Sequence, residues 1–457
     1  MNKSLSPKLI LSIIATGLLS FSGVVVETAT NVTFPTLMKE FNVTTSSVQW
    51  MTTGYLLVAA IMMPLSAFLK NRFTSKMLFT FAASLFAVGL IADALAPVFL
   101  VLVTGRIIQG IGAGIALPLM FNIILEQAPR GKIGFLMGIG TLITAVAPAI
   151  GPTFGGIIVD AFGWRSIFGS LIPVVIIALL IGAYAIQQNK TPVKIRLDFL
   201  SVFYIAITFI GLIVGFSNLS KNIGVFLIAF ILGIIFLTLF VKRSNKIEQP
   251  LLNLRVFKNK LFRQHLGAFF LFQMGALGMS FILPNYIQMV NHKSALIAGL
   301  VVLPGAAIGA MFAPISGSLL DNFGARKPII FGSCLQVIAM IIFAITGQKL
   351  VIWTILCLYI LYMVGVGTSF GNTMTNGINQ LQNSESADGN GLFNTVQQFA
   401  GAVGTSIVSA IVAISQSAVN DLNYSAKTAV GSQHGFLFLL VLLVSGGVLL
   451  NSATKKK

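Results

Sequence analysis

Glu27 is an acid in a stretch that is otherwise apolar from about Ile10 to Val26. At helical spacing Ser20, Gly23, Glu27, Thr30 and Asn31 fall on one face, so the carboxyl belongs to a polar stripe. A carboxyl held there can take a proton in one state and a cation in another, because burial and neighbouring charge tune its proton affinity. Two further charged groups sit in comparable surroundings. Arg106 lies about eight residues, or roughly 12 Å, from the end of its apolar run, and Glu27 lies about eight residues before Pro35, so the two share a depth. Asp93 is the other acid within reach of that layer, and Gln109, one helical turn from Arg106, can relay a hydrogen bond between guanidinium and carboxyl. Loading either carboxyl would then be felt at Arg106. Plainer roles stand beside this reading: Glu27 satisfied by neighbouring helices, Arg106 bound only to backbone carbonyls, Asp93 buried in an interface.

The second half of the chain has no acid in the middle of an apolar run, since Asp321 and Asp388 fall at the ends of theirs. It offers amides and aromatics instead: Gln273, Phe281, Tyr286, Gln288, Tyr362, Asn372, Asn376, Asn394 and Gln398, with Phe270, Met274 and Tyr359 close by. Aromatic faces attract lipophilic cations, and methionine adapts to varied shapes. Amides in apolar surroundings need partners, which a ligand can supply. With Glu27, Asn31 and Gln109 from the first half, these are the candidate substrate contacts; taken singly, an aromatic in a span is more often a core or lipid-facing residue. If Glu27 alone exchanges a proton for a monovalent cation, the exchange is electroneutral, whereas titration of Asp93 as well would exchange two protons per cation.

Positioning these groups requires long apolar helices, and the composition supplies them. Of 457 residues, 56% are hydrophobic and 9% charged, too little polar surface for a water-soluble globular enzyme. Crossing a bilayer takes roughly 20 apolar residues in a helix, because every backbone polar group must be satisfied inside the segment. On that rule about fourteen spans are expected, at 8–35, 47–69, 77–96, 98–125, 134–159, 166–187, 198–217, 222–241, 264–290, 294–319, 328–347, 351–376, 388–415 and 433–452. The fold class is therefore an all-α integral membrane protein. The first apolar segment is read as a retained span, since no small-residue cleavage site follows it.

The net charge of +18 is explained by where the cations sit. With the N-terminus inside, one set of loops and tails holds Lys3 and Lys8, Lys70, Arg72 and Lys76, Arg130 and Lys132, and Lys190, Lys194 and Arg196. It continues with Lys242, Arg243, Lys246, Arg255, Lys258, Lys260 and Arg263, then Arg326 and Lys327, then Lys455, Lys456 and Lys457. The opposite set holds only Lys39, Arg165, Lys221, Lys293, Lys349 and Lys427. Cytoplasmic loops retain Lys and Arg, so both termini are expected in the cytoplasm. The basic excess is a topology signal, and no nucleic-acid partner is implied. Cys334 and Cys357 lie in apolar runs and His265, His292 and His434 lie apart, so neither a metal site nor a disulfide framework is expected. Gly110-Ile-Gly112-Ala-Gly114 sits inside an apolar helix rather than after a strand, so it is not a phosphate loop. With no cofactor expected, an ion gradient must supply the energy.

Two loops repeat faintly: Gly317-Ser-Leu-Leu-Asp321-Asn-Phe-Gly324-Ala-Arg326-Lys327 and Ser66-Ala-Phe-Leu-Lys70-Asn-Arg72-Phe-Thr-Ser-Lys76. They are eight spans apart, as expected if two extra spans separate two six-span halves, an arrangement found in transporters. Span 1 reads Glu27-Thr28-Ala-Thr-Asn31-Val-Thr-Phe-Pro35, span 4 reads Arg106-Ile-Ile-Gln109-Gly110-Ile-Gly112, and span 5 reads Ala147-Pro-Ala-Ile-Gly151-Pro152-Thr-Phe-Gly155-Gly156. In these motifs, and across nearly its whole length, the chain resembles the major facilitator superfamily, and specifically its fourteen-span drug:proton antiporter group. Most members carry Asp where this chain has Val26, and the Glu27-Thr28 form resembles a variant within the group. The span 4 sequence is similar to the superfamily's motif B and the span 5 sequence to motif C, which the family associates with antiport.

Gly317, Asp321, Gly324 and Arg326 resemble motif A, from which loop 66–76 departs, with Lys70 in place of the acid and Phe73 in place of glycine. The resemblance implies a proton-coupling set of Glu27, Arg106 and Asp93, and a gating set of Gly151, Pro152, Gly155, Gly156, Gly317, Asp321, Gly324 and Arg326. It also implies an N-terminal six-helix bundle in 1–187, two inserted spans with a basic linker in 188–263, and a C-terminal six-helix bundle in 264–457. The expected protein is a monomeric, multi-pass exporter of amphipathic, cationic drugs in a bacterial cytoplasmic membrane. Protons drive it, with sodium the alternative ion, and it has no enzymatic activity. An exporter of a defined metabolite such as an amino acid, and a non-transporting membrane sensor or scaffold, are the alternatives; the lack of a sizeable soluble domain argues against the last.

Overall fold

The computed structural model describes residues 6–129, 133–187, 198–218, 222–247, 250–252, 254–382, 385–418 and 423–455. Lys3, Arg130, Lys132, Lys190, Lys194, Arg196, Lys221, Lys456 and Lys457 lie outside the described residues, as do the side chains of Lys70 and Asp321. Every regular element among the described residues is helical. Thirteen helices among the described residues are long and apolar enough to cross a membrane. The 30-residue helix Ile133–Phe162 makes a fourteenth of spanning length.

The first span runs further than Pro35. Helix α1 (Pro7–Ala29) passes through a 3-10 turn (Thr30–Thr33) into α2 (Phe34–Glu40). The hydroxyls of Thr30 and Thr33 donate back to the carbonyls of Val26, Glu27 and Thr30 at 2.7–3.0 Å, competing with the regular helical ladder at that point. Pro35 falls in the first turn of α2, where its missing N–H removes no hydrogen bond, so the span continues past it. Glu27 therefore sits deeper in its span than its spacing from Pro35 implies. A short α3 (Thr45–Val48) then leads into α4 (Trp50–Arg72), α5 (Ser75–Ala94), α6 (Phe99–Gln127), α7 (Ile133–Phe162) and α8 (Arg165–Ala185).

The remaining helices are α9 (Phe199–Asn218), α10 (Ile223–Ser244), α11 (Lys260–Met289), α12 (Ala295–Phe323), α13 (Arg326–Thr346), α14 (Ile352–Ile378), α15 (Ser386–Ser417) and α16 (Tyr424–Ala453). Polar residues start many of them. Thr74, Asn222, Asn259, Ser294 and Asn423 accept hydrogen bonds from first-turn amides that have no partner within the helix. At the other end of α12, Gly324 takes φ 76°, a conformation that costs side chains other than glycine, and the helix stops there.

Helices α1 and α4–α8 pack on one another, and α11–α16 do the same. The two sets meet along two seams, α7 against α12 and α4 against α15. Helix α9 covers the second seam, packing on both α4 and α15, with Phe209 stacked on Phe399 at 4.7 Å between ring centroids. Helix α10 packs on α9, and only 11% of its apolar window is buried. Arg243 donates two-pronged hydrogen bonds of 2.7–3.0 Å to Asp198, tying the open ends of this helix pair together.

Candidate functional site

The glycines of α6 let its neighbours come close enough to build the site. A Cβ on Gly110 or Gly114 would press on the α4 backbone at Tyr55 or Ala59, and one on Gly105 would land on the Asp93 carboxyl. Helix α6 is thus clasped by α4 on one side and α5 on the other, and Arg106 is fully buried between them.

Arg106 Nε donates to the Met51 carbonyl at 3.0 Å, and Nη1 donates to Gln109 Oε1 at 2.7 Å. Gln109 Nε2 in turn donates to Asp93 Oδ2 at 2.7 Å. The amide therefore joins the guanidinium to the carboxyl, and all three side chains are fully buried. Among the described residues Arg106 Nη2 and Asp93 Oδ1 are buried without a hydrogen-bond partner, so the network has both donor and acceptor capacity to spare.

Tyr55 connects this network to α1. The guanidinium lies 4.4 Å from the centre of its ring, within cation–π range, and its hydroxyl donates to the Gly23 carbonyl at 3.1 Å. Thr52, on the same helix, donates to Asn31 Oδ1 at 2.8 Å. Glu27 lies between these two attachments on α1, buried to 6% exposure. Its carboxylate makes no hydrogen bond among the described residues, and the Arg106 charge acts on it as it does on Asp93. Spacing pointed to Glu27, Asp93, Arg106 and Gln109. Tyr55 went unread because an aromatic in a span suits core or lipid equally; its one signal was a phenol tip that needs a polar partner.

The candidate ligand contacts divide by whether their hydrogen bonds are already taken. Asn372 donates to Ser316, Asn376 meets His265 Nε2 at 2.7 Å, and Asn394 donates to the Asn390 carbonyl of its own helix. Gln288 donates to the Val32 carbonyl at 3.0 Å, and the Tyr286 hydroxyl accepts from the Leu350 amide. Phe281 is buried against Phe34, their centroids 5.9 Å apart. Gln273 and Gln398 are nearly buried and make no side-chain hydrogen bond among the described residues, and the buried Tyr362 hydroxyl has no partner. Spare hydrogen-bonding capacity thus remains at Glu27, Gln273, Gln398 and Tyr362.

The glycine–proline segment of α7 serves both its neighbours. A Cβ on Gly151 or Gly155 would meet Thr28 and Val25, or Ala29 and Val32, of the first span, while one on Gly156 would meet the backbone of Ala295 and Leu296. The carbonyl of Pro152 lies against Gly299, and Thr153 Oγ1 donates to the Gly299 carbonyl at 3.0 Å. Gly317 lies within the last turns of α12, where a Cβ would meet open space, and Arg326, at the start of α13, donates through Nη2 to Asn451 at 3.3 Å. Among the described residues no cluster of His, Cys, Asp and Glu could hold a metal ion.

Residues 16–405 match the profile described as Major Facilitator Superfamily. The lincomycin resistance protein LmrB of Bacillus subtilis (strain 168) is 35% identical over 442 residues, covering 94% of this chain and 92% of its own. The multidrug resistance protein B homolog of Mycobacterium tuberculosis is 28% identical over 394 residues, covering 84% of this chain and 73% of that protein. The crystal structure of the POT family transporter PepTSo is similar with a TM-score of 0.71 at 11% identity, over 100% of both chains, a likeness of fold alone.

Proposed function

The chain belongs to the major facilitator superfamily, a multi-pass membrane transporter and not an enzyme, and from that premise we propose that it exports amphipathic, cationic drugs in exchange for protons. The relatives named for lincomycin and multidrug resistance support drugs as the cargo. The observation that carries the coupling is the buried chain Asp93–Gln109–Arg106, with Tyr55 and the unpartnered Glu27 carboxylate beside it. In a membrane interior so poor in charge, protonating one carboxyl changes what Arg106 can pair with.

In the proposed cycle the two helix sets rock about a central site, opening to either face in turn, with both termini in the cytoplasm as the loop cations favour. A cationic drug displaces the proton from Glu27, and the amides of Gln273 and Gln398 and the Tyr362 hydroxyl offer further contacts. Proton entry at the outer face resets the carboxyl. If Glu27 alone exchanges, one proton moves per monovalent drug and the cycle is electroneutral.

Everted vesicles with an acidified lumen provide the test, with lincomycin as the first compound of a wider drug panel. Drug addition should release luminal protons from vesicles carrying the wild-type chain and from none carrying Glu27→Gln. A flat pH signal across the panel with the wild-type chain would sink proton-coupled drug export, and undiminished release by Glu27→Gln would sink the role of Glu27.

A further inference from the structure

The α7–α12 seam holds an acid for which proton coupling has no use. Asp160 is exposed near the end of α7, on the face remote from the chain termini, and its Oδ2 accepts a hydrogen bond from the Leu296 amide of α12 at 3.1 Å. The first turn of a helix leaves amides without internal partners and carries partial positive charge. Ser294 satisfies the Ile297 amide from within the α12 set at 3.3 Å, and Asp160 satisfies the Leu296 amide from across the seam.

Asp160 is also the outermost of a row of contacts. One helical turn inward Gly156 packs on the backbone of Ala295 and Leu296, and then Thr153 donates to Gly299. If the helix sets part at this end, the Asp160 contact lies on the rim that opens. Glu40, another acid near this face, is taken up by Trp164 Nε1 and Arg165, within its own helix set.

We propose that Asp160 is the latch of this seam, a positioning residue whose carboxylate caps α12 from the opposite helix set and favours the state closed on the face remote from the termini. An interaction made in only one of two states shifts their balance by its whole free energy. The latch rests on alternating access within the proposed function, but on neither proton coupling nor the nature of the drug.

The test uses the full chain in liposomes with Cys334 and Cys357 replaced by Ser and a single cysteine placed at Thr53. Thr53 is fully buried, with its hydroxyl 3.3 Å from that of Ser406 across the other seam. A membrane-impermeant maleimide is added on the face remote from the termini. Asp160→Asn, which keeps an acceptor but loses the charge, should speed alkylation about two- to five-fold. Asp160→Leu, which loses both, should speed it about five-fold or more. An unchanged rate in Asp160→Asn overturns the latch, and that variant alone decides if Asp160→Leu inserts poorly. A second reporter cysteine at Asn394, probed from the terminal face, should react no faster. Faster reaction at both faces would mean general loosening and would also overturn the proposal. No drug or pH gradient enters the assay, so its outcome is separable from that of the vesicle experiment.

Discussion

Arg106 Nη2 and Asp93 Oδ1 face no partner among the described residues, although a buried polar group left unpaired costs about 1–3 kcal/mol. A site that bears such a cost is ready to accept a proton, a water or a ligand group. Arg106→Lys keeps the charge but cannot bond Met51 and Gln109 together as the fork does, and drug-driven proton release should fall about ten-fold or more in everted vesicles. Glycine positions give a paired prediction. Gly105→Ala drives a methyl into the Asp93 carboxyl and towards the Gly89 carbonyl and should lower the melting temperature in detergent, whereas Gly317→Ala, which meets open space, should leave it unchanged. Equal melting of the two variants would show that α5 and α6 are not held as tightly as their geometry requires. Charge made Glu27, Asp93 and Arg106 legible in the sequence, because a membrane interior tolerates few ions and each one stands out. Asp160 stayed hidden for the converse reason: an acid at the end of a span is unremarkable until its partner on another helix is known.

At the scale of elements, apolar length gave away the spans but not where each one stops. Span 1 ends at Glu40 rather than at Pro35, because a proline in a first turn breaks nothing. The last span was expected from residue 433, yet α16 begins at Tyr424, capped by Asn423, with polar residues filling its first turns. Nor does sequence reveal which helices touch. The placement of α9 over the α4–α15 seam comes from tertiary packing that periodicity cannot encode. The α9–α10 pair carries its own prediction. The hydrogen bonds from Arg243 hold the Asp198 carboxyl, just outside α9, below the usual carboxylate range. A native pKa lowered in this way adds stability above the unfolded value of about 3.9, and that stability is lost as pH falls through the native value. Asp198→Asn should therefore melt below the wild type at pH 7, and the gap should begin to narrow only as pH falls below about 4. A gap independent of pH would rule out the ion pair as its source.

At the scale of the whole molecule, the side-chain hydrogen bonds that cross between the helix sets include Thr45 to Gln416, Thr53 with Ser406, Thr153 to Gly299, Gln288 to Val32 and the Leu296 amide to Asp160. Several lie towards the face remote from the termini, so that face is the closed one. Alternating access requires these contacts to break once per cycle. With the native cysteines replaced, a Thr53→Cys, Ser406→Cys pair should oxidise to a disulfide that stops transport and releases it again on reduction. Full transport by the oxidised pair would show that this seam never opens.

Helix α10 touches the rest of the protein through α9, and most of its surface faces outward. Its consequence lies in how the molecule is made. A hairpin attached along one face can reach the bilayer early and wait beside its neighbours, because nothing else needs it in order to pack. Helix α9, by contrast, packs on α4 and α15 together, and α15 leaves the ribosome long after α9 itself. The inserted pair would then dock later than its place in the sequence suggests, making it a natural place to watch for maturation of the carrier.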